Sequence, residues 1–237
     1  MKRPLIGIVG KIMDKSLIEN DFRGWTIVDV SNDINHALIK NGAATIGILP
    51  PKRQDVFTTY ATMDDIELNS DDLERLDQVL EMCDGLVLEG GVTAYSYEKY
   101  VARYALENDI PFLGICSGLN ITVLANGGSL KKIPGGHFYP TQPYAHALNV
   151  DKNSVFYRIV QKERMTVNSI HVNTPERIVG YDIAATTDDG LVEVIERKDK
   201  RFYFGVGFHP EMLVDNDEDA NAIFQALVRE ASRTRSG

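Results

Sequence analysis

Pro111-Phe112-Leu113-Gly114-Ile115-Cys116-Ser117-Gly118-Leu119-Asn120 reads as a short apolar strand that stops on a cysteine set between two glycines. In a turn of the form Gly-x-nucleophile-x-Gly, strand gives way to helix and the central side chain is lifted clear of the backbone at the top of a sheet. Glycines on either side let neighbouring chain pass without a Cβ clash. The thiol then lies at the positive end of the following helix, where dipole and free N–H groups favour thiolate over thiol. A small buried cysteine in an ordinary strand–turn–helix link fits the same residues, so a second signal is needed.

That signal is Phe202-Tyr203-Phe204-Gly205-Val206-Gly207-Phe208-His209-Pro210-Glu211, a second apolar strand that delivers a histidine and a glutamate in quick succession. Cysteine nucleophiles work with an imidazole that moves protons and a third group that orients it, and the members need be close only in space. In extended chain, positions i and i+2 share a face, which puts Glu211 beside His209 while Pro210 stiffens the backbone between them. Standing alone, the run would read as a surface His-Pro-Glu turn. With Cys116, it reads as the rest of a catalytic set.

Outward from these two strands the chain alternates. Residues 4–9 read as a first strand, 29–41 as a helix stopped by Gly42, and 43–49 as a strand closed by Pro50-Pro51, which makes a βαβ unit. Residues 52–69 read as a polar loop, and Ser70-Asp71-Asp72 as the cap, without a full capping box, of a helix to about residue 81. A strand is expected at 84–89, carrying Gly90-Gly91, then a helix at 95–107, a strand at 111–115, and a helix at 117–125 that stops at Asn126-Gly127-Gly128. The segment 131–144, with Pro134, Gly135, Gly136, Pro140 and Pro143, reads as an irregular flap near the site. Strands follow at 146–150, 164–167, 177–186, 192–196 and 202–207, the later ones joined as antiparallel hairpins by Asp188-Asp189-Gly190 and Lys198-Asp199-Lys200. Residues 217–232 close the chain as a helix with Ala220, Ile223, Phe224, Leu227 and Val228 on one face, before a frayed tail at 233–237.

The expected fold is therefore α/β: a mostly parallel central sheet flanked by helices, with an added antiparallel hairpin region, in one domain over 1–237. A chain of 237 residues can bury a large core in one such domain. Its 25 Lys and Arg against 34 Asp and Glu give a net charge of −9 with no basic patch, which argues against nucleic acid or an anionic membrane as partner and leaves small metabolites. The apolar run after Met1 is too short for a signal peptide, and no stretch approaches a membrane span. Two cysteines far apart, Cys83 and Cys116, suit a reducing cytosol, with Cys83 a packed structural thiol at a helix end.

Four stretches in order, Asp84-Gly85-Leu86-Val87-Leu88-Glu89-Gly90-Gly91, Gly114-Ile115-Cys116-Ser117-Gly118-Leu119-Asn120, Val167-Asn168-Ser169-Ile170-His171 and Val206-Gly207-Phe208-His209-Pro210-Glu211, carry a resemblance. The chain resembles class I glutamine amidotransferases, with their flavodoxin-like sheet, and most of all the stand-alone peptidase C26 branch that cleaves gamma-glutamyl-gamma-aminobutyrate. The resemblance covers nearly the whole chain. It implies Cys116 as nucleophile, His209 as general base and acid, and Glu211 as the residue that orients it. It implies backbone N–H groups of Gly91 and Ser117 as an oxyanion hole, and Gly90, Asn120 and His171 on the substrate side. The implied chemistry is hydrolysis of a gamma-glutamyl amide through a thioester, with no cofactor and no metal.

This sequence departs from the family at Asn120 and Gly207, where glutamine-using members carry Gln, at Asn173, and in the Val92-Thr93-Ala94-Tyr95 run after Gly91. Asn120 shortens a polar reach and Gly207 removes a side chain, so the pocket is expected to be roomier or differently wired. Three functions stay open: a stand-alone gamma-glutamyl hydrolase, a glutaminase subunit that hands ammonia to a separate synthetase, and a silent regulatory module on the same fold. A homodimer is an open assembly.

The other histidines divide. His171 takes either a substrate-facing or a structural hydrogen-bonding role. His137 and His146 match no common ligand spacing, so no metal site is expected, and His36 falls on a helix surface. Tyr95, Tyr97 and Tyr100 read as packing that could shape the pocket. No phosphate-binding glycine motif occurs.

Overall fold

The apolar N-terminal run is strand β1 (Leu5–Val9), in a computed structural model that describes residues 2–13, 26–53 and 58–234. Strands β2 (Lys11–Ile12) and β3 (Val28–Asp29) form a small antiparallel pair, followed by helix α1 (Asn32–Lys40) and β4 (Ala44–Ile48), which lies parallel to β1. Helix α1 starts later than residue 29, because Asp29 is held in β3 and the Ser31 hydroxyl caps the Ile34 N–H at 3.3 Å. A single 3-10 turn, Met63–Asp65, interrupts the expected loop at 52–69, of which residues 54–57 lie outside the described residues. Helix α2 (Ser70–Leu80) has the full capping box that was not expected. Its cap is Asn69, whose side chain accepts from Asp72 N at 2.9 Å while the Asp72 carboxylate accepts from Asn69 N at 3.0 Å.

Strand β5 (Gly85–Leu88), helix α3 (Ser96–Glu107), strand β6 (Phe112–Ile115) and helix α4 (Ser117–Ala125) fall where expected. In the region read as an irregular flap, 139–144 carries no strand, while the first part, 131–138, is instead part of β7 (Ser129–Phe138), a 10-residue strand. Its partner is a strand the sequence did not reveal. After β8 (His146–Val150), the short helix α5 (Val155–Val160) and β9 (Arg164–Val167) comes β10 (Ile170–Arg177), antiparallel to β7. The register jumps between the His171–His137 and Asn173–Lys132 pairs, so Pro134, Gly135 and Gly136 sit in a bulge that breaks the strand's alternation. Arg177 thus ends β10, and the next strand is the shorter β11 (Asp182–Thr187). Strands β12 (Val192–Glu196) and β13 (Tyr203–Val206) complete the expected antiparallel hairpins, and helix α6 (Glu218–Thr234) runs past residue 232. The rest of the expected tail, 235–237, lies outside the described residues.

One nine-stranded sheet has the order β4-β1-β5-β6-β13-β12-β11-β8-β9, parallel from β4 to β13 and antiparallel beyond. Strands β5, β6 and β13 are buried along their whole length, as parallel strands covered on both faces must be. Alternate residues feed two cores. Val87, Leu113 and Phe204 pack with Ile34 and Leu38 of α1 and Phe224 and Leu227 of α6. Leu86, Phe112 and Tyr203 pack with Leu76 of α2, Val101 of α3 and Ile121 of α4. Burying one such side chain contributes about 1.5–3 kcal/mol. Among the described residues no helix is long and apolar enough to cross a membrane.

This order places the carboxyl ends of β5, β6 and β13 side by side. From them emerge Glu89-Gly90-Gly91, Cys116 and Gly207-Phe208-His209. Open α/β sheets bind ligands at that end.

Candidate active site

Cys116 follows the last residue of β6 and caps α4 with φ 52° and ψ −103°. A non-glycine residue held there costs about 1–3 kcal/mol, and strain of this kind belongs to nucleophile elbows. The Cys116 N–H donates to Val206 O at 2.7 Å, which ties the elbow to β13. Helix α4 presses so closely on β5 that a Cβ at Gly118 would stand 2.5 Å from the Leu88 carbonyl oxygen. Ser117 is the first helical residue, so its N–H finds no partner within the helix.

His209 lies just beyond β13, and its Nδ1 meets Glu211 Oε1 at 2.6 Å. The route is not the extended i, i+2 spacing expected: Pro210–Met212 is a 3-10 turn that folds Glu211 back onto the ring. The ring lies beside the Cys116 sulfur, near enough for each group to shift the other's ionisation. Asn168 clasps the His209 backbone from both sides, accepting from its N–H and donating to its carbonyl, each at 2.8 Å. Gly90 walls the pair, for a Cβ there would lie 2.6 Å from His209 Cε1 and 3.4 Å from Cys116 Cβ.

Burial alone would raise the Cys116 thiol, but the nearness and charge of His209, helped by His171, outweigh it and hold the thiol below its ordinary value. Burial likewise pulls His209 down, yet the Glu211 carboxylate and the sulfur carry it well above the usual imidazole range. The two shifts favour a thiolate beside an imidazolium.

A cleft of about 220 Å³ opens over the sulfur, with Tyr60, Gly91, Asn120, Ile170 and His171 among its walls. Its mouth is apolar: Val92 is 72% exposed, Phe138 58% and Val172 48%. A larger cleft, of about 460 Å³ between Leu73, Tyr100 and Arg103, contains none of the candidate residues. The structure thus gathers Cys116, His209, Glu211, Gly90, Gly91, Ser117, Asn120 and His171 around one point.

Three residues there escaped sequence reading, and a fourth was given no role by it. Tyr60, in the polar loop, accepts a hydrogen bond from Asn120 Nδ2 at 3.2 Å, and burial pushes its hydroxyl up to about 12. Lys11 is buried in β2, and its Nζ reaches Thr93 O at 3.0 Å, Glu98 Oε1 at 2.6 Å and Ser117 Oγ at 3.2 Å. Asn168 was visible only as part of a motif. Glu193, fully buried in β12, lies 3.1 Å from His171 Nε2, while His171 Nδ1 lies 3.1 Å from Asn173 O. His171 is thus anchored by hydrogen bonds at both ring nitrogens and also lines the cleft.

Elsewhere, Tyr95 and Tyr97 are fully buried and stacked 5.6 Å apart, as packing. Cys83 is a buried cysteine whose thiol meets Val79 O, and His36 is an exposed partner of Asp215 at 3.1 Å. His137 and His146, read from their spacing as outside any ligand set, lie with Glu193 in a cluster whose ligating atoms are all within 4.8 Å of one another.

The model of the peptidase C26 family matches residues 66–211, more than half of the chain. The CTP synthase of Pyrococcus horikoshii is 29% identical over 190 residues, which cover 65% of this chain and 35% of that protein. A glutamine amidotransferase-like protein of Rickettsia prowazekii is 29% identical over 66% of this chain and 80% of its own. The chain thus spans about a third of the length of the CTP synthases it matches. Among solved structures, a Thermoplasma acidophilum protein described as a component of GMP synthase superposes with a TM-score of 0.67 at 18% identity, covering 100% of this chain and 98% of that one. The glutaminase domain of Trypanosoma brucei CTP synthase gives 0.65 at 17%, covering 97% and 94%. The fold is that of glutamine amidotransferases, and the chain belongs to the peptidase C26 family.

Proposed function

We propose that this chain, acting as one domain over 1–237, hydrolyses gamma-glutamyl amides through a thioester on Cys116. The observation that carries the reading is the row Glu211–His209–Cys116, in which Nδ1 is fixed on a carboxylate at 2.6 Å while the ring and the thiol shift each other's ionisation. The thiolate attacks the gamma-carbonyl carbon, and the C=O electron pair moves onto oxygen. Backbone N–H groups of Gly91 and Ser117 receive that oxyanion, and a preorganised donor of this kind is worth about 2.7–4 kcal/mol. As the C–N bond breaks, the His209 imidazolium gives its proton to the leaving amine. Water then gives a proton to His209 and attacks the thioester, releasing glutamate and restoring the thiolate. Gly90, Asn120 and His171 hold the gamma-glutamyl end. The apolar mouth of Val92, Phe138 and Val172 suits an amine that carries carbon and not bare ammonia.

A second reading is favoured by the kinship with synthases: a glutaminase subunit whose ammonia passes to a separate synthetase, with the same apolar rim as docking surface. The two separate on purified protein. Gamma-glutamyl amines, gamma-glutamyl peptides and glutamine are offered as substrates, and glutamate is measured. The hydrolase releases it unaided and fastest from a gamma-glutamyl amine. A glutaminase subunit turns over glutamine slowly, and a silent module releases nothing. Cys83 and Cys116 are not joined as a disulfide, which agrees with a reducing cytoplasm as its site of action.

A further inference from the structure

Beside the Cys116 cleft, three strands bring buried ligating atoms to one point. His137 lies near the end of β7, His146 opens β8, and Glu193 is in β12; one ligating atom from each lies within 4.8 Å of the other two. Glu193 is fully buried. Its Oε2, His137 Nδ1 and His146 Nδ1 have no hydrogen-bond partner among the described residues, and His146 Nε2 has only the Glu193 carboxylate, at 3.4 Å. Each buried polar atom left unpaired costs about 1–3 kcal/mol, so this concentration asks for an occupant that satisfies several at once.

A cation does so. His146 Nε2 stands 3.4 Å from Glu193 Oε1. That is about the edge of a tetrahedron drawn by bonds of about 2.1 Å, the distances usual for zinc. His137, half-buried where β7 leaves its bulge, brings the third ligating atom within 4.8 Å of the other two. One outer contact holds a ligand: Glu193 Oε1 also meets His171 Nε2 at 3.1 Å, while Ser169 Oγ fixes the backbone at His137 by donating to its carbonyl at 2.8 Å.

The geometry points to a site for one divalent transition-metal ion, held by His137, His146 and Glu193 with the fourth position open to water. Two imidazoles and one carboxylate select zinc, cobalt, nickel or copper over magnesium and calcium, which take oxygen sets. The three residues stand outside the Cys116–His209–Glu211 row. A bound ion clips β7, and with it β10, to the main sheet. Because Ile170 and His171 of β10 line the Cys116 cleft, occupancy fixes one wall of that cleft.

The test is titration of the purified metal-free chain with Co²⁺, followed by its visible d–d absorption, and with Zn²⁺ by calorimetry. We expect one ion per chain, bound equally by Cys116→Ser, with no near-ultraviolet thiolate-to-cobalt band and a higher Tm in Zn²⁺. His137→Gln and His146→Gln should each raise Kd by about tenfold or more. His137 is half-buried, so His137→Gln tests the site without loss of fold, which circular dichroism checks. The site is overturned by the absence of saturable binding. It is equally overturned by a Kd unmoved in both histidine variants, or by binding lost in Cys116→Ser, which would put the ion on the nucleophile. None of these readouts needs turnover, so they stand apart from the hydrolase reading.

Discussion

The carboxylate of Glu193 occupies the space into which a side chain at Gly207 would grow: a Cβ there would lie well under 3.0 Å from Oε2 and 3.2 Å from Cδ. The missing side chain at 207 therefore leaves no empty pocket. Strand β12 supplies a different polar group in its place, so the region is rewired and not enlarged. Gly207→Ala forces either Glu193 or the chain leading to His209 to move. We expect a loss of about 1–3 kcal/mol in stability, as overpacking costs, with kcat down about tenfold to a hundredfold from a shifted His209. Adding Glu193→Ala should relieve much of both effects. Urea midpoints and kcat of the two single variants and the double variant check this, and strict additivity would remove the contact from the account.

The Asn168 side chain holds both backbone polar groups of His209, so its contribution is to position and not to charge. Asn168→Ala should lower kcat by about tenfold to a hundredfold while KM changes little. An unaltered kcat in a folded variant would show that the 3-10 turn alone places the ring.

Lys11 is the buried partner of Glu98, and the same Nζ touches Ser117 and the turn at Thr93. Lys11→Met leaves the buried Glu98 carboxylate, held otherwise by Tyr95 N, without its counter-charge and should destabilise the fold by about 3–5 kcal/mol. The pair Lys11→Met, Glu98→Leu should recover most of that loss in thermal melts while kcat stays low. Full recovery of kcat would limit the lysine to a structural part.

The pH profile follows from opposite shifts. Cys116 ionises below the ordinary thiol value of about 8.5, and His209 stays protonated above the ordinary imidazole value of about 6.5, which leaves a window with thiolate and imidazolium together. The rise of kcat/KM should then begin below the usual thiol range, and its fall should come above the usual histidine range. Iodoacetamide at neutral pH should label Cys116 ahead of buried Cys83. Glu211→Gln removes the carboxylate that supports the imidazolium, so the alkaline fall moves to lower pH and kcat drops by roughly 10²–10⁴. Labelling of Cys83 ahead of Cys116 would contradict the thiolate.

Much of this site was legible because its strands are buried on both faces and end at glycines. The runs at 111–120 and 202–211 each show an unbroken apolar stretch and then the reactive residue. What stayed hidden has physical reasons. The bulge at Pro134, Gly135 and Gly136 spoils the alternation by which β7 and β10 would be recognised. Helix α5 has only 6 residues, too few for a helical period, and is held by Ser154 and by the distant Glu196 carboxylate, which accepts from Val155 N and Phe156 N at 3.0 Å each. Glu193 falls on the polar beat of Val192-Glu193-Val194-Ile195-Glu196, which normally faces solvent, whereas here the β7–β10 ribbon covers that face. Tyr60 reaches Asn120 across a loop whose composition shows only polarity.

The thioester on Cys116 is the centre of the account, and acid-quenched turnover followed by peptide mass spectrometry reads it directly. A gamma-glutamyl amide is mixed with the chain, quenched during steady state, digested and weighed. We predict a gamma-glutamyl group on the peptide that contains Cys116, labile to hydroxylamine, and neither adduct nor glutamate from Cys116→Ala. Glutamate released at an undiminished rate by Cys116→Ala, with no adduct on the native chain, would contradict it.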